Sequence, residues 1–266
     1  MKLYDCHLHT TYSPDGKSPV ADHARAASKA GLAGIVVTDH CDVQGWTDGT
    51  PYDFRRDESF ADIVRARAEH PELYIGFGVE LSDWRIDPAL ANEVISDPRV
   101  DFVIGSMHTL RGIDFYCMNY TSLVQCDDLL AQYAAELVGH CSGDGDFDSL
   151  GHLTYPLRYM LRDGFRPDFT KQRDAVAEVF RILIDRGRSL EINSSGLRSE
   201  MGCTLPDEYW LRLYRDLGGE LITLGSDSHT AADTGSGISD AAELAKSLGF
   251  GYYCVYRARR PEHIKL

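Results

Sequence analysis

No run in this sequence approaches the ~20 consecutive apolar residues that a membrane span requires. Residues 1–9 also lack the apolar stretch of a secretory leader, so a cytoplasmic protein is expected. Positive charge is scarce: 27 Lys and Arg stand against 41 Asp and Glu, a formal net charge of −14. No basic surplus is left to neutralise a phosphate backbone, so a nucleic-acid partner is not expected. Carboxylates that bind divalent cations would lower the effective charge, however, so a small phosphate could still be held through metals. The seven cysteines (Cys6, Cys41, Cys117, Cys126, Cys141, Cys203, Cys254) are odd in number and nowhere spaced as CxxC, which reads as reduced thiols. There is no GxSxG nucleophile elbow, no GxxxxGK[ST] phosphate loop, and no GxGxxG with an acid at the right distance beyond it. Acyl transfer through a serine and nucleotide-fold chemistry are therefore unsupported.

What is present is an ordinary globular composition, 43% hydrophobic and 26% charged over 266 residues. That length can bury a substantial core without disulfides. No repeat, low-complexity tract or Pro/Gly/Ser-rich linker divides the chain, so residues 1–266 are expected to form one domain. Short β-rich runs recur: "KLYDCHLH", "AGIVVTDH", "LYIGFGVEL", "DFVIGSMH", "LGHLTY", "SLEINSS", "ELITLGSDSH" and "GYYCVYR". Between several of them lie helical patterns, including "SPVADHARAASKAG" with Ser18 as cap and Gly31 as stop, "QRDAVAEVFRILIDRG", "PDEYWLRLYRDLGG" and "SDAAELAKSLGFG". Alternation alone permits either an open doubly wound sheet or a closed barrel. Nearly every predicted strand carries His, Asp or Glu at its C-terminal end, and a barrel converges all of those ends on one rim. An α/β barrel, TIM-like, is the expected fold. The stretch "GHCSGDGDFDSLG" (139–151) is read as a solvated acidic loop. An EF-hand reading fails, because the twelfth position from Asp144 is Tyr155 rather than Glu.

His7 and His9 lie two apart in the first strand and so project to one face, as two ligands of one ion would. Of ten histidines, six (His7, His9, His40, His108, His152, His229) fall at or just past predicted strand ends. The other four (His23, His70, His140, His263) fall in predicted helices or loops. Glu80 in "GFGVEL" and Asp227 in "LGSDSH" add the hard anionic oxygens that a multinuclear site needs beside imidazoles.

Read in order, "HLH", "TDH", "VE", "SMH", "GH" and "SDSH" resemble the PHP (polymerase and histidinol phosphatase) family of metal-dependent phosphoesterases. The segments "LGHLTYPLRY" and "LEINSSGLR" are similar to the stand-alone histidinol-phosphate phosphatases. The resemblance implies a distorted (β/α)7 barrel with three divalent ions (Zn, Mn or Fe) at the C-terminal rim. It implies that His7, His9, Glu80 and Asp227 hold the first ion, that Glu80 bridges to a second on His108 and His152, and that His40 and His229 hold the third. Many members complete the third set with a histidine in the loop after the first strand. Here that loop offers Asp15, a competent ligand that shifts preference toward Mn or Fe over Zn. Thr154 stands where many relatives carry aspartate, and Asp39 is read as an orienting carboxylate rather than a ligand.

Clustered divalent ions activate water near neutral pH and clamp the non-bridging oxygens of a phosphate ester. The resemblance therefore implies hydrolysis of a phosphomonoester, most closely L-histidinol phosphate in histidine biosynthesis. Arg158 in "YPLRY" and Arg198 in "SSGLR" follow predicted strands and are candidates for a bidentate phosphate clamp, with Arg111 a weaker one. A metal-bound water, His229 and Asp227 are the candidate proton donors to the leaving group. Tyr116, Tyr120, Tyr155 and Asp114 could line the pocket for the substrate's cationic portion. Three other readings remain: a PHP-type phosphodiesterase, exonuclease or nucleotide phosphatase, disfavoured by the acidic balance; a non-catalytic metal-binding domain; and an amidohydrolase-type barrel, which usually relies on a lysine that no predicted strand end supplies.

Overall fold

A computed structural model describes residues 1–43 and 54–266. The chain begins with β1 (Tyr4–Leu8), α1 (Val20–Ala30), β2 (Gly34–Val37), β3 (His40–Asp42), α2 (Arg56–Glu69), β4 (Tyr74–Ser82) and α3 (Pro88–Ile95). It continues through β5 (Phe102–Ser106), a small hairpin of β6 (Thr109–Leu110) and β7 (Ile113–Asp114), α4 (Leu123–Ser142), β8 (Ser149–Leu150), α5 (Tyr155–Arg162) and α6 (Arg173–Asp185). It ends with β9 (Ser189–Asn193), α7 (Glu208–Asp216), β10 (Ile222–Gly225), α8 (Ile238–Ser247), β11 (Tyr252–Arg257) and β12 (Arg260–Lys265).

Seven strands pair in parallel in the order β1-β2-β4-β5-β8-β9-β10. The ring closes where Leu8 bridges Ser228, with Asp227 N donating to His7 O at 2.7 Å and His9 N to Ser228 O at 2.8 Å. β4 is the longest strand: its first half pairs with β2 and its second half with β3, which sets His40 beside Glu80. Strand residues are buried on both faces, as a sheet wrapped by helices demands. Each crossover helix turns an apolar stripe to the sheet, for example Val176, Ala177, Val179, Phe180 and Leu183 of α6. This is the expected seven-stranded barrel, and among the described residues no helix is long and apolar enough to cross a membrane.

Four local expectations are corrected. "GYYCVYR" is not a barrel strand: β11 pairs antiparallel with β12, and the hairpin plugs the N-terminal end of the barrel. Tyr253 Oη there donates to Lys2 O (2.8 Å) and accepts from Tyr4 N, while Tyr256 Oη donates to Asp148 O (3.2 Å). "LGHLTY" contributes only Ser149–Leu150 as strand, since Tyr155 already opens α5. Ser18 does not cap α1: Pro19 holds the cap position, and Ser18 Oγ accepts from Ala231 N, tying the first loop to the rim beyond β10. Gly31 ends α1 as expected, at φ +72°. The loop expected at 139–151 is helical up to Ser142.

Candidate active site

All nine candidate ligand residues gather at the C-terminal rim. β1 projects His7 and His9 inward as period-two neighbours, and both are fully buried. His7 has room because residue 225 is glycine: a Cβ there would lie 2.3 Å from Glu191 Oε1 and 2.5 Å from His7 Cβ. Glu80, buried near the end of β4, stands at the centre. Its Oε1 lies 2.6 Å from His152 Nε2 and 3.2 Å from His108 Nε2. Its Oε2 lies 2.9 Å from His40 Nδ1, 3.4 Å from His9 Nε2 and 3.5 Å from His7 Nε2. Asp227 Oδ1 reaches the first pair, 3.8 Å from His7 Nε2 and 3.5 Å from His9 Nε2. Asp15, on the loop after β1, comes within 3.0 Å of His229 Nε2 and 3.6 Å of His40 Nε2.

The tautomers of three histidines follow from their outer partners. A carboxylate can only accept, so His7 Nδ1 donates to Glu191 Oε1 (2.7 Å) and His108 Nδ1 donates to Asp42 Oδ1 (3.0 Å). Ser13 Oγ gives its proton to Asp39 Oδ1 (2.8 Å) and so accepts from His9 Nδ1 (3.2 Å). In the neutral imidazole, the form that binds a metal, this leaves Nε2 as the lone pair turned into the cluster. His7 Nε2 and His9 Nε2 face each other at 3.1 Å, a separation that a shared cation, or a proton carried by His7, would bridge. Two nitrogens bound tetrahedrally at about 2.05 Å to one zinc stand about 3.3 Å apart, and this pair and the His108–His152 pair (3.4 Å) bracket that value. Glu80 Oε2 is buried without a donor in hydrogen-bonding geometry among the described residues, another acceptor suited to a cation.

Four overlapping donor groups are compact enough to hold an ion: His7, His9 and Asp227; His7, Glu80 and His152; His40, Glu80 and His108; and His9, His40 and His229. The implied first and second sets are thus close together. In the third, His9 packs against both His40 and His229, with ring centroids 4.1 and 4.3 Å apart, while Asp15 approaches from the more exposed side.

Burial and charge act against each other here. Burial raises the Glu80 carboxyl and the charges of His108, His7 and His40 outweigh it, holding it well below the usual carboxylate range. Asp227 is held low in the same way, by His7, His9 and Arg158. Burial alone would lower His7, but Glu191, Glu80 and Asp227 raise it well above an ordinary imidazole. His9, buried and flanked by His40 and His229, is pulled down to about 3. The outer face of the cluster opens into a cleft of about 530 Å³ lined by Asp42, Asp114, Tyr116, Tyr155, Arg158 and Tyr159 as well as the candidate ligands other than His7 and His9.

Arg158 meets the cluster directly: on α5, its Nη2 lies 3.1 Å from Asp227 Oδ2 and also donates to Ser195 Oγ. The other two arginines lie elsewhere. Arg198 donates to the carbonyls of Ser226 (2.7 Å) and Ser236 (3.3 Å) and does not line the cleft. Arg111, at the tip of the β6–β7 hairpin, faces a separate hollow beside Asp83 and Arg85. Tyr120 is buried with its hydroxyl on Phe115 O (2.8 Å), away from the cleft, while Tyr116, Tyr155 and Asp114 line it. Asp39 accepts from Thr10 N (2.7 Å), Ser13 and Ser59, the orienting role expected of it. Thr154 is buried, and its hydroxyl has no hydrogen-bond partner among the described residues. Sequence reasoning missed Asp42, Glu191 and Ser13. The first had a signal: Asp42 follows His40 by two in the same strand and so shares its face.

A parallel barrel whose strand ends collect imidazoles and carboxylates around shared oxygens defines the class of barrel proteins with a multinuclear metal site at the C-terminal rim. Within that class, residues 5–195 match the PHP domain model, and the chain belongs to the PHP domain family. It is 30% identical over 253 residues to a probable histidinol-phosphatase of Thermotoga maritima, covering 95% of each chain. It is also 30% identical over 258 residues to the histidinol-phosphatase of Lactococcus lactis subsp. lactis, covering 94% of this chain and 93% of that one. The crystal structure of the histidinol phosphate phosphatase from the same species, complexed with zinc, L-histidinol and phosphate, superposes with a TM-score of 0.84 at 26% identity, over 98% of this chain and 99% of that one.

Proposed function

We propose that this protein hydrolyses L-histidinol phosphate to L-histidinol and inorganic phosphate, with three divalent ions at the rim cluster. The observation that carries the reading is Arg158, a partly buried guanidinium that touches both the imidazole–carboxylate cluster and the open cleft. A phosphoryl group seated there would meet the cation fork on one side and the ligand cluster on the other.

His7, His9, Glu80 and Asp227 would hold one ion, Glu80, His108 and His152 a second, and His40, His229 and Asp15 a third. When bound, such ions supply Lewis acidity toward water and toward the phosphoryl oxygens. The protein's own groups do the rest. Glu191, Ser13 and Asp42 hold three imidazoles with the lone pair inward, so no reorientation is needed when the site is filled. Arg158 orients the phosphoryl group and offsets its charge. Asp42 and Asp114 give the cleft an anionic wall among Tyr116, Tyr155 and Tyr159, suited to a cationic amino alcohol and poorly suited to a polyanion. Arg198 remains a second candidate for the phosphate, provided it releases the Ser226 and Ser236 carbonyls.

The test pairs elemental analysis of the purified protein with phosphate release from a panel of histidinol phosphate, a nucleoside 3′,5′-bisphosphate and a short oligonucleotide. About three metals per chain and selective turnover of histidinol phosphate are expected. Preference for the bisphosphate would replace the proposal with the nucleotide-phosphatase reading, cleavage of the oligonucleotide would replace it with the phosphodiesterase or exonuclease reading, and a metal-free, inert protein would remove all three.

A further inference from the structure

Glu191, Asn193 and Ser195 lie two apart along the end of β9 and the turn beyond it, and together they bridge the barrel wall from His7 to Arg158. The contacts are continuous. His7 Nδ1 donates to Glu191 Oε1 at 2.7 Å, and Glu191 Oε2 accepts from His152 N (2.7 Å) and Asn193 Nδ2 (3.2 Å). Asn193 Oδ1 accepts from Ser195 N (3.0 Å) and from the Ser195 hydroxyl. With its proton given to Asn193, Ser195 Oγ accepts from Arg158 Nη2. The Asn193 orientation is fixed by chemistry, since turning its amide over would set its NH₂ against the Ser195 N–H and its oxygen against the Glu191 carboxylate, and the Ser195 hydroxyl also lies 3.3 Å from Asp227 Oδ2.

Arg158 needs such an anchor. Its guanidinium is partly buried beside Asp227, and the buried Nε has no hydrogen-bond partner among the described residues. Held by Asp227 alone, the fork would close on that carboxylate in two parallel bonds, which are the strong geometry for this pair. The clamp would then turn from the cleft, and Asp227 would be drawn from the imidazoles. Ser195 prevents this by occupying one Nη2 proton from the side.

We propose that Asn193 and Ser195 are positioning residues that keep Arg158 turned toward the phosphoryl oxygens and hold it to a single Nη2 contact with Asp227, in register with His7 through Glu191. The proposal rests on the reading that this cleft receives a phosphomonoester. Ser195→Ala and the near-isosteric Ser195→Cys, a poor acceptor, test it in zinc-reconstituted protein. Calorimetry gives the affinity for inorganic phosphate, elemental analysis the metal content, and p-nitrophenyl phosphate the steady-state constants. Losing a hydrogen bond to a charged group should weaken phosphate affinity and raise KM about tenfold, with a smaller change in kcat and wild-type metal content. In an Arg158→Ala background the same Ser195 substitution should add nothing, because it acts through that arginine. Unchanged phosphate affinity in the folded single variants, or a full tenfold loss persisting without Arg158, overturns the proposal. If wild type binds phosphate but does not turn over histidinol phosphate, the substrate reading falls while the phosphate comparison still decides the relay.

Discussion

Asp15 Oδ2 lies 3.0 Å from His229 Nε2, although one residue comes from the loop after β1 and the other follows β10. Backbone pairing between these segments fixes the approach: His9 N bonds Ser228 O, and Lys17 N donates to His229 O at 2.8 Å. The closing seam of the barrel therefore also builds the outermost donor set. Proximity of Asp15, His229 and His40 is a consequence of barrel closure rather than of any local turn.

If Asp15 completes that set, Asp15→Ala should lower the metal content by about one ion per chain, read by elemental analysis after dialysis. Asp15→His should restore the ion and move selection toward zinc when the protein is dialysed against equal zinc and manganese, since imidazole is the softer donor. Wild-type content in Asp15→Ala would show that His9, His40 and His229 suffice.

Arg158→Ala should lower kcat/KM for a phosphomonoester by about 2 kcal/mol or more, because it leaves a phosphoryl charge unmatched and Asp227 without its guanidinium. Arg198→Ala is the informative comparison. Its donors go to the Ser226 and Ser236 carbonyls, so a loss confined to stability assigns Arg198 to the loop, and a loss in KM assigns it to the phosphate.

Removing metal should destabilise the protein as well as silence it. Glu80 and Asp227 are buried among imidazoles whose lone pairs converge, and ligand binding to the native state at about a thousand times Kd contributes about 4 kcal/mol. Thermal unfolding with and without a chelator should show a lower Tm in the stripped protein, restored by added zinc or manganese. Superimposable unfolding curves would contradict a structural role for the ions.

The sequence made the inner ligands legible because they obey a period of two on strands: His7 and His9 share a face, and the same rule covers His40 with Asp42 and Glu191 with Asn193. Those latter partners passed unnoticed because attention to histidine alone ignores what each imidazole must donate to. Arg198 and Arg111 were placed correctly after strands, but periodicity ends where the strand ends. The short turn at Ser195–Arg198 and the hairpin turn at Arg111, with φ +54°, point the side chains away from the cleft. The C-terminal hairpin was illegible for a related reason. Alternation in "GYYCVYR" fits parallel or antiparallel pairing, and its turn places Ala258 and Arg259 at positive φ without the Asn-Gly or Asp-Gly signal that marks such turns.

His140 gives stability a pH dependence remote from the reaction. It is buried on α4 against Trp84, with Nε2 facing Ser106 O at 3.2 Å, and burial pulls its pKa down from 6.5 to about 3. An imidazole of depressed pKa is neutral in the native state while the unfolded chain takes up a proton below about 6.5, so the unfolded state binds more protons across that window. Stability must then fall as pH drops from about 6.5 toward 3, by at most about 1.4 kcal/mol per pH unit from this residue. His140→Gln keeps a donor for Ser106 O without the titration. Whatever the substitution costs at pH 7, the gap to wild type should narrow or reverse by pH 5 in denaturant titrations run at equal metal loading, where contributions common to both proteins cancel. A constant gap between pH 7 and 5 would place the acid sensitivity elsewhere.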